Sequence, residues 1–148
     1  SFIRFEPDAF QQVAQEKYFR APEKLVYKFI SNRLVFAFDN KQRLTLNSAN
    51  ILIPRLPDMS IKLVLGFLNS NVFQFIFRRK FRTHKVLRGD LEHLPFPIIS
   101  QGSSGRIEAL VDQAISEGRQ LVELEREIAK AFELTESDER YISAIKDE

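Results

Sequence analysis

A chain of 148 residues with 44% hydrophobic content, 14 of them phenylalanine, has the size and apolar surface of one domain with a true core, or of one domain carrying an appendage. The absence of cysteine and the presence of only two histidines exclude disulfide frameworks, thiolate metal sites and cysteine nucleophiles, and make a histidine-rich metal site untenable. The net charge of +2 is too small to declare a polyanion partner by itself, so any such surface has to come from how the charge is distributed.

After the apolar stretch Phe2 to Phe5, the segment from Asp8 to Phe19 is expected to be a helix. Pro7 precedes it, Phe10, Val13 and Ala14 share one side, and Pro22 ends it. From Lys24 the pattern turns to β-structure. KLVYKFI and RLVFAF are rich in branched and aromatic residues and are separated by a two-residue polar break. DNKQ makes the next turn, and RLTLNSANILI adds one or two strands before PRLPD. Ser60 is placed to cap a helix running from Ile61 through IKLVLGFLNSNVFQFIFRRKF. Its apolar residues at 61, 64, 65, 68, 72, 75 and 76 form one stripe, and Leu63, Phe67, Phe73 and Phe77 lie off it. Such a helix is apolar most of the way round and should be the buried spine of the domain. Beyond Gly105, RIEALVDQAISEGRQLVELEREIAKAF predicts one long helix of ~40 Å, with Gly118 marking a bend or a close approach. Thr135 and the TESD spacing predict a capped last short helix. The expected fold is α+β: a small mixed or antiparallel sheet on a buried helix, followed by a long C-terminal helix and a short one.

Charge is divided sharply along the chain. Residues 1 to 100 carry 16 Lys or Arg against 8 Asp or Glu, and residues 101 to 148 carry 6 against 12. The first part has the balance of a polyanion-binding surface, and the acidic tail is expected to face away from any nucleic acid. The basic charge peaks between Arg78 and Arg88, where six Lys or Arg and one His occur without an acid. The dipole at the C-terminal end of the spine helix accounts for Arg78, Arg79 and Lys80 but not for Arg82, Lys85 and Arg88 in the expected loop beyond. Arg82, Thr83, His84 and Arg88 are therefore the loop residues expected to meet DNA, and Arg78, Arg79 and Lys85 are expected to join them as DNA contacts. Lys41 and Arg43 of the DNKQR turn form a second candidate group. His84 has no second ligand or orienting partner in the sequence and reads as a polar loop residue; His93, between Leu91 and Leu94, reads as structural. Asp90 and Glu92 have no nuclease-type spacing around them. No glycine-rich phosphate loop, GxGxxG or nucleophile elbow is present, so no catalytic residue, metal site or bound cofactor is expected in this chain. The crowded phenylalanines read first as core rather than as stacking platforms.

The order of segments resembles a known family. Paired strands KLVYKFI and RLVFAFDN, then LNSANILI, the helix LVLGFLNSNVFQFIFRR, a basic loop and the exit LRGDLEHLPFP are together similar to the TaqI-like C-terminal specificity domain of DNA adenine methyltransferases and their fused restriction enzymes. The most specific elements are LGFLNSNVFQFIF and DLEHLPFP, and the likeness spans Lys24 to Pro97. The tail AKAFELTESDERYISAI is similar to the helical end that often follows this domain and to spacer helices of type I specificity subunits. The resemblance implies target recognition on double-stranded DNA by residues 1 to 100, with 101 to 148 as a helical extension. A separate catalytic methyltransferase domain of the parent protein would flip and methylate the adenine with S-adenosylmethionine. The catalytic and cofactor motifs of such enzymes are missing here, so none of that chemistry transfers to residues of this chain, which opens on Ser and reads as part of something longer. A cytoplasmic setting is expected, since apolar runs are broken before the ~18 residues of a membrane span and no signal-peptide pattern is present. The competing expectations are a protein-interaction module or homodimer built on the long C-terminal helix, or a part of a type I specificity subunit.

Overall fold

A computed structural model describes residues 2–3, 22–28, 34–41, 49–54, 56, 58–80, 86 and 88–145. The helix expected over Asp8 to Phe19 lies outside them. Strands β2 (Lys24–Lys28), β3 (Phe36–Asp39) and β4 (Ala49–Leu52) form an antiparallel sheet in the order β3-β2-β4. Leu25 faces Phe38 on one side and Leu52 on the other, and Tyr27 faces Phe36. Leu25, Tyr27, Phe36 and Leu52 are buried in the core on one face, and Lys24 and Ile51 of the opposite face are buried as well, while Ala37 of β3 is exposed. A second pairing joins β1 (Phe2–Ile3) to β5 (Phe96–Pro97), with Ile3 opposite Phe96. The fold is therefore α+β, with an antiparallel sheet.

The spine is two helices, α1 (Ile61–Leu68) and α2 (Asn71–Lys80), where the apolar pattern predicts one. Ser60 caps α1 as expected, its side chain accepting the Leu63 N–H. The break falls in the Leu-Asn-Ser segment because Ser70 competes with helical bonding. Its Oγ donates to the Phe67 carbonyl (2.6 Å) and accepts from the Phe73 N–H (3.2 Å), which makes it the cap of α2. Asn71 N–H, another of the unsatisfied donors at that new N-terminus, donates to Glu125 Oε2 at 2.9 Å.

After the short turn α3 (Arg88–Leu91) and β5, the chain forms α4 (Gln101–Glu117), α5 (Val122–Ala131) and α6 (Glu136–Ile145). The single ~40 Å helix expected here is thus two helices. Gly118, at φ 66°, ends α4, and α5 folds back on it. Helix α4 also starts earlier than the pattern suggests, because Ser100 accepts the Ser103 N–H and supplies a cap ahead of the glycines. Thr135 caps α6 as its spacing predicts: its Oγ1 accepts from Asp138 N–H and its own N–H donates to Asp138 Oδ2.

Helix α1 packs on β2 and β3 with one face and on α4 with the other. At the second contact a side chain on Gly66 would bring its Cβ within 2.7 Å of Val111 Cγ2, so a glycine in mid-helix is what allows the two helices to approach. Phe67, Phe73, Phe96 and Phe132 form an aromatic cluster with ring centroids 4.8–5.9 Å apart, mostly tilted or edge-on. Ile107, Val111, Leu121, Leu124 and Ile128 of the extension are buried in the same cluster as Leu25, Leu63 and Phe77. The extension therefore completes the core around the spine.

Candidate nucleic-acid interface

The last turn of α2 carries Arg78, Arg79 and Lys80, the dipole-favoured arrangement that the sequence predicts. Arg79 lies over the Phe75 ring, 5.3 Å from its centroid, and donates Nη2 to Tyr141 Oη at 3.1 Å. Arg78 donates Nη1 to the Ile145 carbonyl at 3.3 Å. Neither guanidinium pairs with a carboxylate among the described residues. Lys80 Nζ donates to the His93 carbonyl at 3.1 Å, so the start of the basic segment is tied to its exit. His93 itself is exposed and contributes its backbone there.

Arg82, Thr83, His84 and Lys85 lie outside the described residues, and so does Arg43. On either side of them, Phe77, Val86 and Leu91 are buried, which anchors the ends of the basic segment in the core. Arg88 is not a loop residue: it begins the helical turn α3. GDLEHLPFP then returns the chain to the interior through Leu91, Leu94 and Phe96. One oxygen of Asp90 is buried without a hydrogen-bond partner among the described residues. Burial pushes its carboxyl up from the usual range, with nearby His93 opposing. Among the described residues no group of three His, Asp or Glu is placed to hold a metal.

Lys41 is exposed beyond β3, its N–H accepted by Asp39 Oδ1 at 3.0 Å, while the other oxygen of Asp39 pairs with the buried Lys24 ammonium. It does not adjoin the Arg78–Lys80 group. Asn69 bonds Phe36 and Gln74 bonds Leu34, so α2 runs opposite to β3 and carries Lys80 past the start of that strand. Lys41 lies past its other end. The four residues of β3 and the helical rise from Gln74 to Lys80 therefore lie between Lys80 and Lys41. Nor is the acidic extension remote from the basic helix end, because α6 packs directly on α2. Five of its twelve acids have a local cause: Glu123 and Glu125 sit in the first turn of α5, and Glu136, Asp138 and Glu139 in that of α6.

Sequence reasoning missed three residues here. The side-chain amides of Asn69 and Gln74 hold β3 against the helix that carries the arginines, and Tyr141 orients one of them. Asn69 and Gln74 were legible as polar breaks in an apolar run, but Tyr141 left no signal, being 62 residues from Arg79.

No helix among the described residues is long and apolar enough to cross a membrane. Curated proteins offer no match to the chain. A protein-family match, described as TaqI-like C-terminal specificity domain, covers residues 1–96, which takes in the three-stranded sheet, both spine helices, the basic segment and the exit as far as Phe96. The chain belongs to the TaqI-like C-terminal specificity domain family.

Proposed function

We propose that this chain recognises a specific sequence in double-stranded DNA for an adenine methyltransferase, or a restriction enzyme fused to one, and positions that DNA for a separate catalytic domain of the parent protein. The observation that carries this reading is the pair of guanidiniums, Arg78 and Arg79, that meet no carboxylate among the described residues at the start of the basic segment in a chain of the specificity family. Arg82, Thr83, His84, Lys85 and Arg88 are further DNA contacts in this reading, with Lys and Arg gripping phosphates and Arg suited to guanine edges. Lys41 and Arg43 of the DNKQR turn supply a second contact to the duplex. Residues 1 to 100 form the recognition unit and 101 to 148 support it. Methyl transfer from S-adenosylmethionine belongs to the catalytic domain, and the protein works in the cytoplasm. The apolar faces of α4 and α5 are spent on this chain's own core, which favours support over homodimerisation as the role of the extension.

The test is duplex binding as a function of salt. Wild type should bind a mixed-sequence duplex at low salt and lose affinity along a log–log line of about −0.9 per phosphate contacted. Replacing Arg82, Lys85 and Arg88 together by Ala should weaken binding and make that slope shallower. Affinity and slope equal to wild type would remove the basis of the reading.

A further inference from the structure

Helix α6 meets the basic end of α2 through groups that, among the described residues, hold a cation without a carboxylate. The Tyr141 ring stands edge-on to Phe75 at 6.1 Å, Phe75 supports the Arg79 guanidinium from below, and the Tyr141 hydroxyl accepts one of its five N–H groups. Arg78 donates to the carbonyl of Ile145, the last residue of α6, where the helix dipole itself favours a cation. Ring face, phenol and carbonyl are all neutral partners. The three carboxylates of α6, Glu136, Asp138 and Glu139, sit in its first turn, at the end away from Ile145.

We propose that α6 is a positioning element for phosphate contact: Tyr141 and the carbonyl end of α6 fix the rotamers of Arg79 and Arg78 with their charge intact. A phosphate oxygen then meets a guanidinium that is already ordered and keeps most of its donors for the ligand. The proposal rests on the DNA-recognition reading above and assigns the acidic extension a part in it. Freezing one long side chain on binding costs roughly two- to tenfold in affinity, and that cost is what Tyr141 removes.

The experiment uses the whole chain and a fluorescent mixed-sequence duplex of about two turns, ~20 bp, titrated across a range of salt. The variants are Tyr141→Phe, Arg79→Ala, the double variant and the Arg82, Lys85, Arg88 alanine triple. Tyr141→Phe keeps the ring and removes only the hydroxyl. It should weaken binding by roughly two- to tenfold with the salt slope and Tm unchanged, because no charge is lost. Arg79→Ala should weaken binding and make the slope shallower by about 0.9. The double variant should match Arg79→Ala alone, since the hydroxyl acts only through that arginine. Wild-type affinity for Tyr141→Phe, tighter binding by it, or additive losses in the double variant would overturn the proposal. If Arg79→Ala binds as wild type while the triple is weakened, the inference fails and the recognition reading stands. If the triple is unchanged as well, both fail.

Discussion

Asn69 and Gln74 do for β3 what another strand would do. Asn69 Oδ1 accepts the Phe36 N–H at 2.8 Å and its Nδ2 donates to the Phe36 carbonyl at 2.9 Å; Gln74 Oε1 accepts the Leu34 N–H at 2.8 Å and its Nε2 donates to the Leu34 carbonyl. Residues two apart on a strand present their backbone groups to the same edge, so two amides close that edge where β2 does not reach. Asn69→Ala removes both bonds at once and strands a backbone donor and acceptor in a largely buried site. The expected loss is about 2–4 kcal/mol in urea unfolding, against near-zero for an alanine at exposed Gln113. The sequence FLNSNVF supports bonding to backbone, but not to which backbone, because the strand lies 33 residues upstream. Asp90 makes the opposite prediction. Its carboxyl is pushed up in the folded state, so its neutral form is favoured there. Its contribution is complete below the unfolded carboxylate pKa of about 3.9 and is lost as pH rises through the higher folded value. Asp90→Asn should therefore raise Tm at pH 7, with the gain shrinking as the buffer is taken toward pH ~3. A constant gain at every pH would show that the ionised carboxylate is not the cause.

Two helices of the extension end in the same backbone motif with different residues at its left-handed position. Beyond α4, Arg119 N–H donates to the Ala114 carbonyl and Gly118 N–H to that of Ile115; beyond α5, Leu134 N–H donates to the Ala129 carbonyl and Glu133 N–H to that of Lys130. Gly118 has φ 66° and Glu133 φ 58°. The first position is free of strain and the second is not. Gly118→Ala has open space for its Cβ, so its cost should be conformational alone, about 1 kcal/mol, while Glu133→Gly should stabilise by about 0.5–1 kcal/mol. Paired denaturation curves check both signs. Gly118 was legible as an interruption, whereas the end of α5 was not, since nothing in AKAFELT announces a left-handed glutamate. The division of the spine into α1 and α2 was hidden for a related reason. Apolar spacing continues unbroken across Asn69 and Ser70, and only Ser70's bonds to Phe67 and Phe73 reveal a new helix start.

For the whole molecule, composition separates the chain into a basic part and an acidic one, and packing joins them. The sheet, the spine and the LPFP exit were readable because their residues are strongly periodic or belong to a recognisable order of segments. Contacts between the two parts were not, because they pair α1 with α4 and α2 with α6 across long stretches of chain. Their weight can be judged from burial. Ile107, Val111, Leu121, Leu124 and Ile128 are each at most 2% exposed, and covering side chains of this size is worth about 1.5–3 kcal/mol apiece. Together they contribute on the order of 10 kcal/mol, as much as the whole net stability of an ordinary domain. A chain ending at Ser100 should consequently lose its cooperative thermal transition and bind a hydrophobic dye, even though it retains all of residues 1–96 that match the family. The contrasting variant is Arg82, Lys85 and Arg88 to Ala in the full chain, which should keep Tm within a few degrees because it leaves all five of those buried side chains in place. A truncated chain that still melts cooperatively would show that the extension only decorates a core complete without it.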